Sequence, residues 1–426
     1  MQSLQIGVMS AANIASNLLF QWLVLTMLGP GMLTDALFAA LTLPQLFTAL
    51  VSSSLTHVLV PLLVVESREE QCRDAWTLFV YSTVLFAVVA IILIASAQWW
   101  MPLIVPGFTS EAKLITVELA RIGLLGMLFT GMSAVQTAIG FARHQYIWAD
   151  TAPMLANVFA VLLLLWLLPY YGVWTAAWIS VFRLLLQTLL LQPLMGKPMM
   201  PDRARPTIKI AWQRLKPILL GASYYKMDPL LDRILLSAAS SGALSLLYLG
   251  QQLHSAASQV VAKALAVPTI THLSAAYKQR DQALFAFKLK RTLWLMLLVC
   301  LAGVGAIGFV GEPLLAWSMV HGKFTGADSH LLWVLLLLSA GMFVAGAMGV
   351  LTAGAFYAQG DTRTPTWLGS LAFTGGIVLK IVMFKLLGVE GLAVAISVYY
   401  LFSLSLQIFV LWRRGAMQSI FIGADR

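Results

Sequence analysis

"GPGMLTDALFAALTLPQLF", residues 29–47, joins two long apolar runs across a Gly-Pro-Gly turn. The runs at about 4–28 and 34–63 contain helix-compatible residues throughout, and at about 1.5 Å per residue each is long enough to cross a hydrocarbon core of about 30 Å. Asp35, the one charge in the stretch, stands at the start of the second run. An acid there serves either as a partner for its own helix's dipole or as a polar site inside a membrane protein.

The pattern repeats along the chain. Of 426 residues, 60% are hydrophobic and 10% charged, against roughly 25% charged in soluble domains. This composition specifies an integral membrane protein and leaves no stretch for a soluble enzyme domain. The first basic residue is Arg68, so the N-terminus reads as a first span rather than a cleaved signal peptide. Cys72 and Cys300 are too few and too distant for a disulfide framework or metal cluster. The net charge of +10 is expected to mark cytoplasmic loops rather than a nucleic-acid surface.

Twelve helices are expected, at about 4–28, 34–63, 76–101, 114–139, 148–168, 174–192, 218–240, 243–267, 292–318, 331–357, 366–387 and 391–412. Loops after even-numbered helices collect most of the 27 basic residues, among them Arg68, Arg143, Arg203, Arg205, Lys216, Lys278, Arg291, Arg363 and Arg413. That bias places both termini in the cytoplasm. The basic, proline-rich stretch 193–217 then reads as a cytoplasmic linker between an N-terminal six-helix lobe, 1–192, and a C-terminal one, 218–426. Residues 275–291, "AAYKQRDQALFAFKLKR", read as a basic amphipathic helix, either solvated or lying on the inner leaflet with Leu284, Phe285 and Leu289 dipping in.

Charges inside the spans carry the functional signal. A central Arg, Lys or Asp costs about 2.5 to 3.5 kcal/mol, so such residues face a wet cavity or a partner. The seventh run, "ILLGASYYKMDPLLDRILLSAASSG" (218–242), holds Lys226, Asp228, Asp232 and Arg233, a cost of roughly 10 kcal/mol if all faced lipid. Asp228 and Asp232 share one helix face, Lys226 and Arg233 another, with Pro229 as a bending point. Either the four neutralise one another, or they wall a cavity that contacts an anionic substrate or a coupling ion. Arg183, Lys263 and Lys380 lack a local acid and read as snorkelling residues or cavity cations, Arg121 as the partner of Glu118, and His57 and His254 as hydrogen-bonded helix residues. No Walker-type loop and no metal-ligand spacing is present, so no cofactor is expected; a proton or sodium gradient, or the membrane potential, is expected to drive any transport.

The stretch 29–47 resembles the signature of the first two helices in the MviN-type lipid II flippases, of the multidrug, oligosaccharidyl-lipid and polysaccharide exporter superfamily. "PLIVPGF" (102–108), "GALSLLYLGQQL" (242–253), "HGKFTGADSHL" (321–331) and "AFYAQGDTRTPT" (355–366) are similar to further family segments in the same order. The resemblance implies an all-α polytopic membrane protein of about twelve helices in two lobes around a central cavity, moving an undecaprenyl-pyrophosphate-linked saccharide by alternating access. It implies that Asp361 and Arg363 lie in a cytoplasmic hairpin with a part in the gate. Asp361 is expected to cap that turn, and Pro365 to start a helix. Such proteins carry cavity arginines in helix one, after the "LP" of helix two, and in helix eight. Here helix one has none, the second place reads Thr48 and Ala49, and the third reads Gln251 and Gln252. The family's acid after the second place is also missing, where "VSSSL" (51–55) stands, and the two further helices that often follow in the family are not seen after the twelfth run. Neutral amides do not replace an Arg fork on a diphosphate, so the expected cargo is a surface-glycan repeat unit more than the peptidoglycan precursor.

Lys226, Asp228, Asp232, Arg233, Asp35, Gln252 and Lys263 are the expected cavity residues. Expected partners are the lipid-linked saccharide and membrane lipids, with a polysaccharide polymerase or glycosyltransferases beside it in a bacterial cytoplasmic membrane. The competing readings are a small-cation antiporter of the same superfamily, with Asp35, Asp228 and Asp232 as cation and coupling sites, and a non-transporting scaffold for polysaccharide assembly.

Overall fold

A computed structural model of the chain describes residues 2–64, 67–202 and 207–415, and among these every regular element is a helix. Arg203 and Arg205, and the side chain of His57, lie outside what is described. The chain divides into two compact units, 1–245 and 246–426.

The first unit holds α1 (Gln2–Leu28), α2 (Met32–Leu63), α3 (Arg68–Ile104), α4 (Ser110–Ala142), α5 (Tyr146–Tyr171), α6 (Val173–Leu191), α7 (Thr207–Lys226) and α8 (Asp228–Leu236). Helix starts follow local chemistry: the Thr109 hydroxyl accepts the Ala112 N–H at 3.3 Å at the head of α4, as a capping residue does. α4 is the central element, packed on α2, α3 and α6, while α1 packs on α5 and α7 lies on α2. In lipid, helices gain nothing by hiding apolar surface from one another, so close backbone approach through small residues does the work. α4 accordingly buries Ala120, Gly123, Gly126, Gly131, Ala134 and Ala138, and α2 buries Ala36, Ala39 and Ala40. At Gly107, in the turn before α4, an added Cβ would sit 2.5 Å from the Ser237 carbonyl oxygen, and the Gly107 N–H donates to the Ser237 hydroxyl at 3.0 Å. The end of α8 is thereby fastened to the α3–α4 turn.

The second unit contains α10 (Val267–Lys278), α11 (Gln282–Ala306), α12 (Glu312–Met319), α13 (Gly326–Leu338), α14 (Ala340–Ala358) and α15 (Arg363–Arg413), after α9 (Ala243–Val261), which starts at the unit boundary. Short π-helical turns, Ala262–Ala266 and Ile307–Gly311, join α9 to α10 and α11 to α12. α14 packs on α10, α11 and α15, again through small residues such as Ala345, Ala347, Gly354 and Ala355. α15 spans 51 residues and is two helical passes meeting at Gly388, whose φ of 63° lies in the left-handed region that glycine tolerates.

Nine helices among the described residues are long and apolar enough to cross a membrane. Their outward faces carry Ile91, Leu103, Leu114, Trp166 and Phe309 fully exposed, which in water would be an aggregating surface. Trp99, Tyr170, Tyr171, Trp317 and Trp367 stand exposed near helix ends, at the depth where aromatic belts form.

Three expected elements differ, one of them the tenth helix expected at 331–357, which is broken at Ser339 into the end of α13 and α14. The seventh run is not a single helix over 218–240: α7 begins at Thr207, inside the stretch expected to be linker, and ends at Lys226, and α8 starts again at Asp228. Pro229 therefore opens a helix, where its missing N–H costs nothing, instead of bending one. The expected amphipathic helix over 275–291 is instead a turn between two helices. Arg280 takes a positive φ of 60°, the Asp281 N–H returns to the Ala276 carbonyl at 3.0 Å, and the Asp281 carboxylate accepts the Leu284 N–H at 2.8 Å to start α11. Phe285 and Leu289 are buried in the protein core rather than in lipid.

Candidate functional site

The helix break sorts the four charges of residues 226–233. Lys226 is the last residue of α7 and Asp228 the first of α8, so each sits at the helix end whose dipole favours its sign. Asp228, Asp232 and Arg233 are buried, none of them free of partners. Arg233 Nε donates to the Thr42 hydroxyl at 3.1 Å and lies within electrostatic reach of Asp35. Asp35 does not serve its own helix: there the Thr34 hydroxyl takes the Gly31 N–H at 2.9 Å. Its carboxylate reaches across to accept the N–H groups of Gly242 at 2.7 Å and Ser245 at 2.8 Å, capping the first turn of α9. Arg233 bonded to Thr42, and Asp35 bonded to the start of α9, each fix helix positions.

Lys226 behaves differently. It is half-buried, and its Nζ lies 3.5 Å from the Ala49 carbonyl oxygen. Ala49 belongs to the wall of a cavity of about 210 Å³ within the first unit, lined also by Pro44, Gln45, Thr48, Ser180 and Arg183. Arg183 Nη1 donates to the side-chain Oδ1 of Asn157 at 2.9 Å, and Asn157 Nδ2 donates in turn to Oδ1 of Asn13. The Thr48 and Thr130 hydroxyls meet at 3.3 Å. Among the described residues the lining contains a guanidinium, an amide and two hydroxyl side chains and no carboxylate, and such a set suits an anion. The weight of Arg183 was not legible in the sequence, because its partner stands 26 residues away on another helix.

In the second unit Gln252 is half-buried on α9, and Lys263 is exposed in the π-helical turn. Lys380 does not snorkel: it is fully buried, its ammonium 5.3 Å from the centre of the Tyr399 ring. His254 is buried, 2.9 Å from the Leu336 carbonyl and stacked on Phe343. Back in the first unit, Arg121 pairs with Glu118 at 2.6 Å. Among the described residues no group of His, Cys, Asp or Glu could hold a metal ion.

The hairpin at Asp361 is closed by its own side chain. Its carboxylate accepts the N–H groups of Arg363 and Thr364, both at 3.0 Å, and the Arg414 guanidinium at 2.6 Å. Arg363 itself is exposed. The Thr364 hydroxyl and N–H, followed by Arg414, hold the Asp361 carboxyl well below the usual carboxylate range. A depressed value contributes stability above the unfolded pKa, about 3.9, and loses it as pH falls through the lower folded value. The contribution of Asp361 is therefore fully present at neutral pH and is lost only in strong acid. Asp361→Ala is expected to cost about 1 kcal/mol, the usual loss of a cap, and Asp361→Asn less, measured as melting temperature at pH 7. Equal melting of Asp361→Ala and the parent would remove the cap.

Membrane-length helices, with a cavity inside the first unit that has Arg183 in its wall, mark a multi-pass membrane protein. The lipid II flippase MurJ family model matches residues 24–423, so the chain belongs to that family, one of bacterial inner-membrane transporters and not of enzymes. It is similar to the lipid II flippase MurJ of Burkholderia cenocepacia, 23% identical over 393 residues, which cover 87% of this chain and 75% of that one. Among solved structures, a lipid II flippase MurJ in an inward closed conformation matches 96% of this chain and 89% of its own with a TM-score of 0.83 at 17% identity. An inward-facing multidrug resistance MATE transporter matches 97% and 96% with a TM-score of 0.77 at 15% identity. Likeness at these identities is a likeness of fold.

Proposed function

We propose that the chain moves an undecaprenyl-pyrophosphate-linked saccharide across the bacterial cytoplasmic membrane by alternating access, with residues 1–192 and 218–426 as its lobes and both termini in the cytoplasm. The observation that carries the reading is the cavity of the first unit, where Arg183 stands in the wall and Lys226 at the rim, with Gln45, Thr48 and Ser180 as neutral donors and acceptors. A pyrophosphate needs fixed cations and hydrogen-bond donors in a site poor in acid. At about 210 Å³ the cavity holds the charged group and not the whole glycan. Of the three acids on which the antiporter reading relies, Asp35, Asp228 and Asp232, Asp35 is committed to two backbone N–H groups.

The test is accessibility of lipid-linked saccharide at the outer face of cells with and without the protein. Loss of outer-face saccharide on depletion supports the reading, and unchanged exposure overturns it. Rescue of cells depleted of their own lipid II flippase separates the cargoes. With Thr48, Ala49, Gln251 and Gln252 at places where the resemblance implies cavity arginines, a surface-glycan cargo predicts no rescue, while full rescue makes lipid II the cargo. The proposed orientation predicts cytoplasmic signals from reporters at Gly196, Gln279 and Gly415 and outside signals at Gly31, Pro106 and Gly322; an outside signal at Gln279 would discard it.

A further inference from the structure

A second, larger cavity lies in the second unit. It measures about 680 Å³ and is lined by the α10–α11 turn, by Gln359 at the end of α14, and by Arg414 and Gly415 at the end of α15. Its charged lining residues are Lys278, Arg280, Arg414 and Asp281. The single acid is engaged, since the Asp281 carboxylate accepts the first-turn N–H of Leu284 at 2.8 Å. Arg414 is held in place by Asp361 and by the Thr364 hydroxyl at 2.8 Å, with its guanidinium 5.5 Å from the centre of the Phe356 ring. Lys278 and Arg280 are exposed at the mouth, and the positive φ of Arg280 carries the chain around the turn that forms it.

The depth of this cavity narrows its ligand. α11 starts a membrane-length helix at Gln282, α14 ends at Ala358 and α15 at Arg413, so the cavity sits where three spans leave the hydrocarbon. Its walls include Tyr277 and Phe285, edge to face at 6.5 Å, beside the cations. Lys288, Lys290 and Arg291 follow within the first turns of α11. Cations at headgroup level next to an aromatic wall match a phosphate diester with attached apolar chains. We infer that this cavity is a binding site for a phosphate group presented at the membrane surface, the headgroup of an anionic phospholipid, with Lys278 and Arg280 as its capturing residues and Arg414 as a fixed third donor.

The inference stands apart from the transport reading, because its readout is binding to the purified full chain. Delipidated protein is titrated with phosphatidylglycerol, phosphatidylcholine and inorganic phosphate, and bound adducts are counted by native mass spectrometry. A saturable site is expected that prefers phosphatidylglycerol to phosphatidylcholine at least tenfold. Lys278→Gln combined with Arg280→Asn should weaken it about tenfold to thirtyfold, at the usual contribution of a basic residue near a membrane surface. Asn is chosen at 280 because it tolerates the left-handed backbone, and Lys278→Gln alone, expected to weaken binding about fivefold, is the second variant should the pair fail to fold. The charge-matched Lys113→Gln with Lys323→Gln should bind as the parent does. Saturable binding of inorganic phosphate that is lost in the double variant keeps the phosphate site and assigns it to a soluble ligand. Undiminished phosphatidylglycerol binding in a folded Lys278→Gln/Arg280→Asn protein, or equal binding of both lipids by the parent, overturns the inference.

Discussion

Arg233→Gln is expected to lower the melting temperature in detergent by roughly 4 °C, and Lys226→Gln, seven residues away, to leave it nearly unchanged while abolishing most transport. Arg233 is 1% exposed, holds Thr42, and lies within electrostatic reach of Asp35. Removing one member of a buried hydrogen-bonded charge pair or its equivalent costs about 3 to 5 kcal/mol because its neighbours remain desolvated, and at an unfolding entropy of about 2.1 cal/mol/K per residue each kcal/mol is worth about 1 °C in a chain of 426 residues. Lys226 is half-buried and makes one long contact to a carbonyl at the cavity wall, so water hydrates whatever replaces it. Its worth is therefore in what the cavity binds. A fall in melting temperature for Lys226→Gln as large as that for Arg233→Gln would make the lysine a structural partner. Normal transport by a folded Lys226→Gln protein would move the site to Arg183 alone.

Asp35→Ala should destabilise the first unit by about 2 to 6 kcal/mol, since each of two buried N–H groups left without an acceptor costs about 1 to 3. Those groups are the amides of Gly242 and Ser245, and the loss is read as faster hydrogen exchange at the start of α9. Asp35→Asn keeps one acceptor oxygen and should lose less than half as much. If Asp35 were instead a coupling-ion site, the Asn variant would retain stability but lose the ion dependence of transport, and exchange at 242 and 245 would not change.

The membrane class and the all-helical fold were legible in the sequence because they depend on composition and run length alone, whereas the twelve expected spans compare with nine membrane-length helices among the described residues. Local caps were legible as well: Asp361 reaches Thr364 three residues on, and Arg121 reaches Glu118 three residues back, distances set by helix and turn geometry. The charges of residues 226–233 announced themselves by their cost in lipid, but that cost names no partner. Asp35 finds its partners 207 and 210 residues away, Arg233 finds Thr42 191 away, and Arg183 finds Asn157 26 away. Pro229 was expected to bend a helix and instead opens a new one, α8, which packs on α2 and α3. A polar group in a bilayer must be satisfied inside the protein; which group satisfies it depends on which helix faces come into contact, and that is a property of the packed fold rather than of any local stretch.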